Sequence, residues 1–335
     1  MDGVLNNNIY DVQMYIICDR RHMINNTIIY KFENSCSDLI ITPNAKYAAV
    51  INGTIHLYRM TDMENIYDFK KLKYPSSIAF SNNSRLLAIR NTFGRIILFD
   101  LEKMEIIKEY KDNKQDGPTI LFSPDDRSII TSDWSGNIFI TDIVNDKVVL
   151  LKNYPAHMVN TAKYDPVTMR YFFVIVPILS NEHNQTITEK NNLLIEIKYP
   201  FDQNTIIERK MPETVKDVIY NHYQNKYFLI NYHSIDILNE NFELCETIKT
   251  FNESCYNYST DCSSDGKYFV VECHSGFLLF NYNERMEPIG SINIGICKIK
   301  IVDFRGIVSL FIGTVEGGYI LDFDKLVDEI NSTFV

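Results

Sequence analysis

One feature constrains this chain of 335 residues above all others, a turn that returns seven times. The copies read "TPNAKY", "SNNSRL", "SPDDRS", "DPVTMRY", "NHYQNKY", "SSDGKY" and "DFRG", and each carries a basic residue: Lys46, Arg85, Arg127, Arg170, Lys226, Lys267 and Arg305. Successive basic residues lie 39, 42, 43, 56, 41 and 38 positions apart. Around each turn the order is constant. An apolar strand precedes it, a second follows the basic residue, and a third, often ending in Asp, comes after another polar turn.

Seven copies at roughly this period match four-stranded propeller blades, which run about 40–45 residues each. The turn residues have a mechanism. Pro presets φ at the first central position, and Asp, Asn and Gly tolerate the tight geometry that follows, with Asp265-Gly266 the strongest single signal. The basic residue heading the next strand reads as a solvated rim position whose stem lies over apolar neighbours.

The strands are short and rich in β-formers, as in "RIILFD" (95–100), "NIFITD" (137–142), "KYFVVE" (267–272) and "GFLLFN" (276–281). Continuous apolar runs of this kind suit strands covered on both faces, as stacked blades provide. Helical periodicity is confined to "FDKLVDEI" (323–330), where Leu326, Val327 and Ile330 share a face, predicting a short C-terminal helix. The expected fold is all-β: a seven-bladed β-propeller of four-stranded antiparallel blades.

A ring of blades must hide its first and last edges. The last copy, "KIKIVDFRGIVSLFIGTVEGGYILDF" (298–323), supplies only three strands, while "VQMYIIC" (12–18) and "NTIIYKF" (26–32) precede the first full copy. One of these, expected to be 26–32 because it adjoins the first blade, completes the seventh. The chain is thus expected to be a single domain over 1–335, with closing strands in 1–35, blades in 36–330 and a tail at 331–335. Six- and eight-bladed arrangements stay open on residues 1–35 and 177–192.

These residues resemble the WD-repeat family. "SDWSGNIFITD" (132–142) is similar to the family's turn, glycine, apolar strand and terminal aspartate, and "AHMVNTAKYDP" (156–166) to the stretch that normally starts with Gly-His. Phe99-Asp100 and Thr141-Asp142 stand where Trp-Asp is usual. No Trp-Asp dipeptide occurs, Gly-His is reduced to Ala156-His157, and most blades lack the histidine of the family's buried network. The resemblance therefore implies a divergent, WD-like propeller and, with it, a protein-interaction scaffold or adaptor.

Composition narrows the partners. The formal charge is −10, and no long Lys/Arg block appears, so the footprint of a nucleic-acid or anionic-membrane binder is missing. The beginning of the chain lacks a basic leader followed by an apolar core, and no run approaches the ~18 apolar residues of a spanning helix, so a cytoplasmic location is expected. Seven cysteines form no CxxC pair and are expected as buried thiols. Neither a cofactor nor a metal is expected, since His183 and His274 lack the spaced partners that zinc requires.

No nucleophile elbow, HExxH helix or phosphate loop is present, and "GTVEGG" (313–318) has the glycine content of a turn. The expectation is a non-enzyme. Two alternatives remain: a propeller enzyme of lactonase or hydrolase-like type with a metal or acid-base group in its channel, and a structural subunit of a larger assembly. For an interaction role the candidate face carries Phe93, Trp134, His183, Tyr232 and His274, with the polar insertion 177–192 opening beside them. The one tryptophan reads either as an aromatic anchor or as packing over the neighbouring blade.

Overall fold

The computed structural model describes residues 26–332 apart from 71, 112–114, 179–190, 213, 250–258, 264–265, 274–275, 282–286 and 294–297. Among the described residues every strand belongs to one of seven four-stranded antiparallel sheets. Six sheets are built from consecutive strands. The seventh takes its outermost strand, Ile28–Phe32, from the beginning of the described chain, paired antiparallel with Gly318–Asp322. The strand expected to close the ring does so, and 12–18 lies outside the described residues.

The innermost strands are Asp38–Ile41, Pro75–Phe80, Thr119–Phe122, His157–Asp165, Asp217–Asn221, Thr260–Cys262 and Lys298–Phe304. Each meets the innermost strand of the next blade, and the last meets the first, so the ring is shut. Seven blades is the arrangement adopted.

The core lies between blades and explains the continuous apolar runs. In the strand Leu86–Asn91, Leu87 and Ile89 pack on Leu57 and Ile51 of the first blade, whereas Ala88 turns to Ile120 and Phe122 of the third. Tyr171, Phe173 and Ile175 likewise face Ile130 and Ile138 of the third blade, and Phe172 and Val174 face Val218 and Leu229 of the fifth. Period-two alternation sends odd and even residues to opposite neighbours. Both sets must therefore be apolar.

The seven recurring turns share a backbone more faithfully than a sequence. The residue before each basic residue holds a left-handed φ in the first six copies: Ala45, Ser84, Asp126, Met169, Asn225 and Gly266. In the seventh, Arg305 itself has φ 58° and Gly306 follows at 80°. Adjacent turns are also tied together. Asn82 and Asn83 donate their amides to the carboxylate of Asp126 at 2.7 and 2.8 Å, and Asn44 donates to Ser84 Oγ at 3.0 Å.

Five of the seven basic residues, Lys46, Arg85, Arg127, Lys267 and Arg305, are exposed as expected, and Arg170 and Lys226 are half-buried. Arg170 reaches the buried Glu196 at 3.4 Å, and Arg305 Nε donates to the Met60 carbonyl at 2.7 Å. These contacts lock one turn to its blade or to the next. The C-terminal helix, Phe323–Ser332, seats Phe323 and Leu326 against Val270, Leu279 and Leu310. Cys36 is buried as expected, whereas Cys262 is half-buried and Cys245 exposed.

Candidate functional site

The turns joining the second and third strands of the second, third and seventh blades emerge on one face of the disc, beside connections between blades. Backbone bonds show the two sets meeting: Thr92 N to Tyr74 O at 3.0 Å, Trp134 N to Asp116 O at 3.0 Å, and Cys36 N to Thr314 O at 2.9 Å. This is the face expected to carry the site.

A repeated device builds it. In the third blade the buried Asp133 accepts from the amides of Ser135 and Asn137 at 2.8 and 3.0 Å, and from Asn137 Nδ2 at 2.9 Å. Gly136 stands at φ 76°, and a Cβ there would lie 2.3 Å from the Tyr154 carbonyl oxygen. The turn is held from below, and Trp134 is left 49% exposed at its tip.

The second blade repeats the arrangement with Asn91, whose Oδ1 accepts from Phe93 N at 3.1 Å and Arg95 N at 3.0 Å. Phe93 is 58% exposed and meets the edge of Tyr74, itself 63% exposed, at a ring distance of 5.9 Å. In the fifth blade the buried Asn231 receives Thr214 Oγ1 at 2.9 Å and donates to Asp236 at 2.8 Å. Its neighbour Tyr232 is 37% exposed, with the Lys216 ammonium 4.3 Å from the ring centroid. The seventh blade uses Thr314, whose hydroxyl accepts from Glu316 N and Gly317 N, and exposes Val315.

Phe93, Trp134 and Tyr232 thus all stand in turns between second and third strands, Trp134 and Tyr232 one residue after the bracing side chain and Phe93 two after it, whereas His183 and His274 lie outside the described residues. The insertion 177–192 falls between Arg170–Pro177 and Asn192–Lys198, the second and third strands of its blade, although 179–190 is likewise outside. Tyr74, Ile178 and Val315 were missed by the sequence reading, and all three are exposed here. A signal was available for Val315, because a short polar residue, Asn, Asp or Thr, precedes an apolar one at turn after turn.

A second concavity runs along the axis. The innermost strands of all seven blades enclose a cavity of about 460 Å³, whose wall includes Asp38, Ser77, Thr119, Lys163, Asp261, Lys298 and Lys300. Lys163 Nζ lies 2.7 Å from Asp217 Oδ2 and also meets the carbonyl and hydroxyl of Thr260. Lys300 Nζ lies 2.5 Å from Asp38 Oδ1. Asp261 turns toward backbone, accepting from Ile301 N and Cys262 N, each at 2.9 Å.

Enclosure by protein sets the protonation tendencies here. Burial raises the Asp261 carboxyl above the usual carboxylate range, opposed by the Ile301 amide and by Lys163 and Lys300. Burial also draws the Lys298 ammonium below the usual lysine range. Nothing in the sequence spacing brings these groups together, yet "KIKI" carries a hint. In an innermost strand, alternate residues face the axis, which places Lys298 and Lys300 there and Ile299 in the core.

Among the described residues no cluster of His, Cys, Asp or Glu is arranged to hold a metal ion, and no helix is long and apolar enough to cross a membrane.

No protein-family model matches the chain, and no curated protein matches it in sequence. Solved structures do share its fold. The Cps50 (Swd1) β-propeller domain of Myceliophteria thermophila aligns with a TM-score of 0.67 at 12% identity, over 88% of this chain and 98% of that one. The hydrazine synthase of Kuenenia stuttgartiensis aligns with a TM-score of 0.67 at 10% identity, over 87% of this chain and 96% of that one. At such identity the likeness is one of fold, and it agrees with the ring of seven four-stranded blades: this chain is a seven-bladed β-propeller.

Proposed function

We propose that the chain is a non-catalytic scaffold that binds a protein partner in the cytoplasm through the face bearing Tyr74, Phe93, Trp134 and Tyr232. One observation carries this reading: four aromatic side chains stand exposed on one face, three of them at the tips of turns braced by buried polar residues. Large rings on a rigid frame supply contact area at small entropic cost, which is why aromatic residues dominate binding hot spots. The β-propeller domain of Cps50 (Swd1) shares the fold, and so does an enzyme, hydrazine synthase, so the fold alone does not choose between binding and catalysis.

The test is affinity purification of tagged protein from its native cells, beside the double variant Phe93→Ala/Trp134→Ala. A stoichiometric protein partner retained by the wild type and lost by a folded variant supports the scaffold reading. Identical partners at identical yield would place the interface elsewhere. Stoichiometric zinc or calcium in the purified protein would favour the hydrolase-like alternative instead.

A further inference from the structure

The axial cavity holds one ammonium that no described side chain touches. Three lysines and three aspartates belong to its wall: Lys163, Lys298 and Lys300 with Asp38, Asp165 and Asp261. Five of the six are engaged. Lys163 is taken by Asp217 and Thr260, Lys300 by Asp38, and Asp261 by two backbone amides. Asp165, at one mouth, accepts from Val167 N and Thr168 N and pairs with His222 at 3.1 Å. Lys298 has neither a hydrogen-bond nor an ion-pair partner among the described residues. The same wall contains the buried hydroxyl of Thr119, which also lacks a partner there.

Lys298 is half-buried, Asp38 and Asp217 favour its charged form without touching it, and an anion that did touch it would gain a charge-assisted hydrogen bond. A cavity of about 460 Å³ lies within the range of small-molecule sites. It is too narrow for a folded partner, and a cation would be opposed by lysines on two of the seven surrounding strands.

We propose that the central channel binds a small organic oxyanion, a carboxylate or a phosphate ester, through a charge-assisted hydrogen bond from Lys298. The groups facing Lys298 are Asp38 on the first innermost strand, Lys163 on the fourth, Asp217 on the fifth, Asp261 on the sixth and Lys300 on its own strand. Asp38 and Asp217 already sit on Lys300 and Lys163, which leaves Lys298 as the channel cation with no direct partner among the described residues. Burial that pulls this ammonium down makes binding proton-linked: the anion holds the charged form, and affinity falls as pH rises toward the lowered lysine value. This site is independent of the aromatic face.

The experiment is isothermal titration of the full chain with sulfate, which keeps one charge state above pH ~3, and separately with succinate, between about pH 6 and 9. Saturable binding of sulfate points to phosphate-type ligands, and of succinate to carboxylic acids. Either is expected at one equivalent, weakening with rising pH, and at least about tenfold weaker in Lys298→Met. That variant removes an unpaired ammonium and is expected to fold; the wild-type pH series decides the matter even if it does not. Failure of both anions to saturate, unchanged affinity in Lys298→Met, or pH-independent affinity would each overturn the proposal.

Discussion

Arg90 Nη1 lies 3.1 Å from the carbonyl oxygen of Gly117, joining the second blade to the connection that enters the third. The guanidinium is wholly buried in an otherwise apolar strand, and its Nη2 donates to the Gln115 carbonyl at 2.9 Å. Asp116 stands between these acceptors, 4.0 Å away, and its own carbonyl receives the amide of Trp134. A single side chain therefore positions the support of the exposed tryptophan.

Replacing Arg90 by Met keeps much of the stem but strands the buried Gly117 carbonyl, while the carbonyl of the exposed Gln115 can turn to water. Leaving a buried acceptor unsatisfied costs about 1–3 kcal/mol, and a loss of that size is expected. Urea denaturation measures it, and a change below about 0.5 kcal/mol would mean the Gly117 carbonyl finds another donor.

Gly136→Ala tests the turn beneath Trp134. The left-handed φ alone costs about 1–2 kcal/mol for an L-residue. The new Cβ would also press on the Tyr154 and His157 carbonyls, 2.3 and 2.8 Å away, which are backbone atoms that cannot swing aside. A lower melting temperature than Trp134→Ala is expected.

Trp134→Ala and Phe93→Ala, by contrast, remove exposed rings from turns that Asp133 and Asn91 hold independently. Stability should change by no more than about 0.5 kcal/mol. A large drop in the unfolding midpoint would show that these rings pack structurally rather than stand ready for a partner.

Closure can be tested by deleting Ile28–Phe32. Without it Gly318–Asp322 becomes a bare edge, and Phe32 leaves its place beside Tyr58, 5.5 Å between rings. An open edge invites pairing with other chains. Aggregation or loss of one cooperative transition is expected in scanning calorimetry, and a monomer melting like the wild type would show that closure by this strand is dispensable.

Asp68 should give stability an acid limb. Hydrogen bonds from Asn65 Nδ2 and with His56 Nδ1, both at 2.7 Å, hold its carboxyl below the usual range. A carboxyl whose folded value is depressed contributes above its unfolded pKa of about 3.9, and that contribution is lost as pH falls through the folded value. The stability difference between wild type and Asp68→Asn is therefore expected to shrink below about pH 4. A difference independent of pH would assign the effect to packing.

Much of this was legible in the chain because the ring is made of local hairpins. A turn signal about every forty residues counts the blades, and the position of Trp134, Phe93 and Tyr232 between the second and third strands puts them on one face. The exact residues of the turns were a poorer guide. Ala45, Met169 and Asn225 carry the same left-handed backbone as Gly266, since the ties between neighbouring turns and blades can hold an unfavourable φ that sequence preference would avoid.

What the sequence by itself determined, then, is the number of blades, the strand that closes the last, the terminal helix and the face on which each turn emerges, all of which follow from short-range pattern and periodicity. What only the tertiary structure decided is which distant side chains share a space. Lys163 meets Asp217 and Thr260 from 54 and 97 residues away, and Arg90 finds the Gly117 carbonyl across a blade boundary. Lys298 is left without a direct partner among the described residues because of where seven strands converge. Spacing along a chain encodes the hairpin; only closure of the ring sets which charges are answered at its axis.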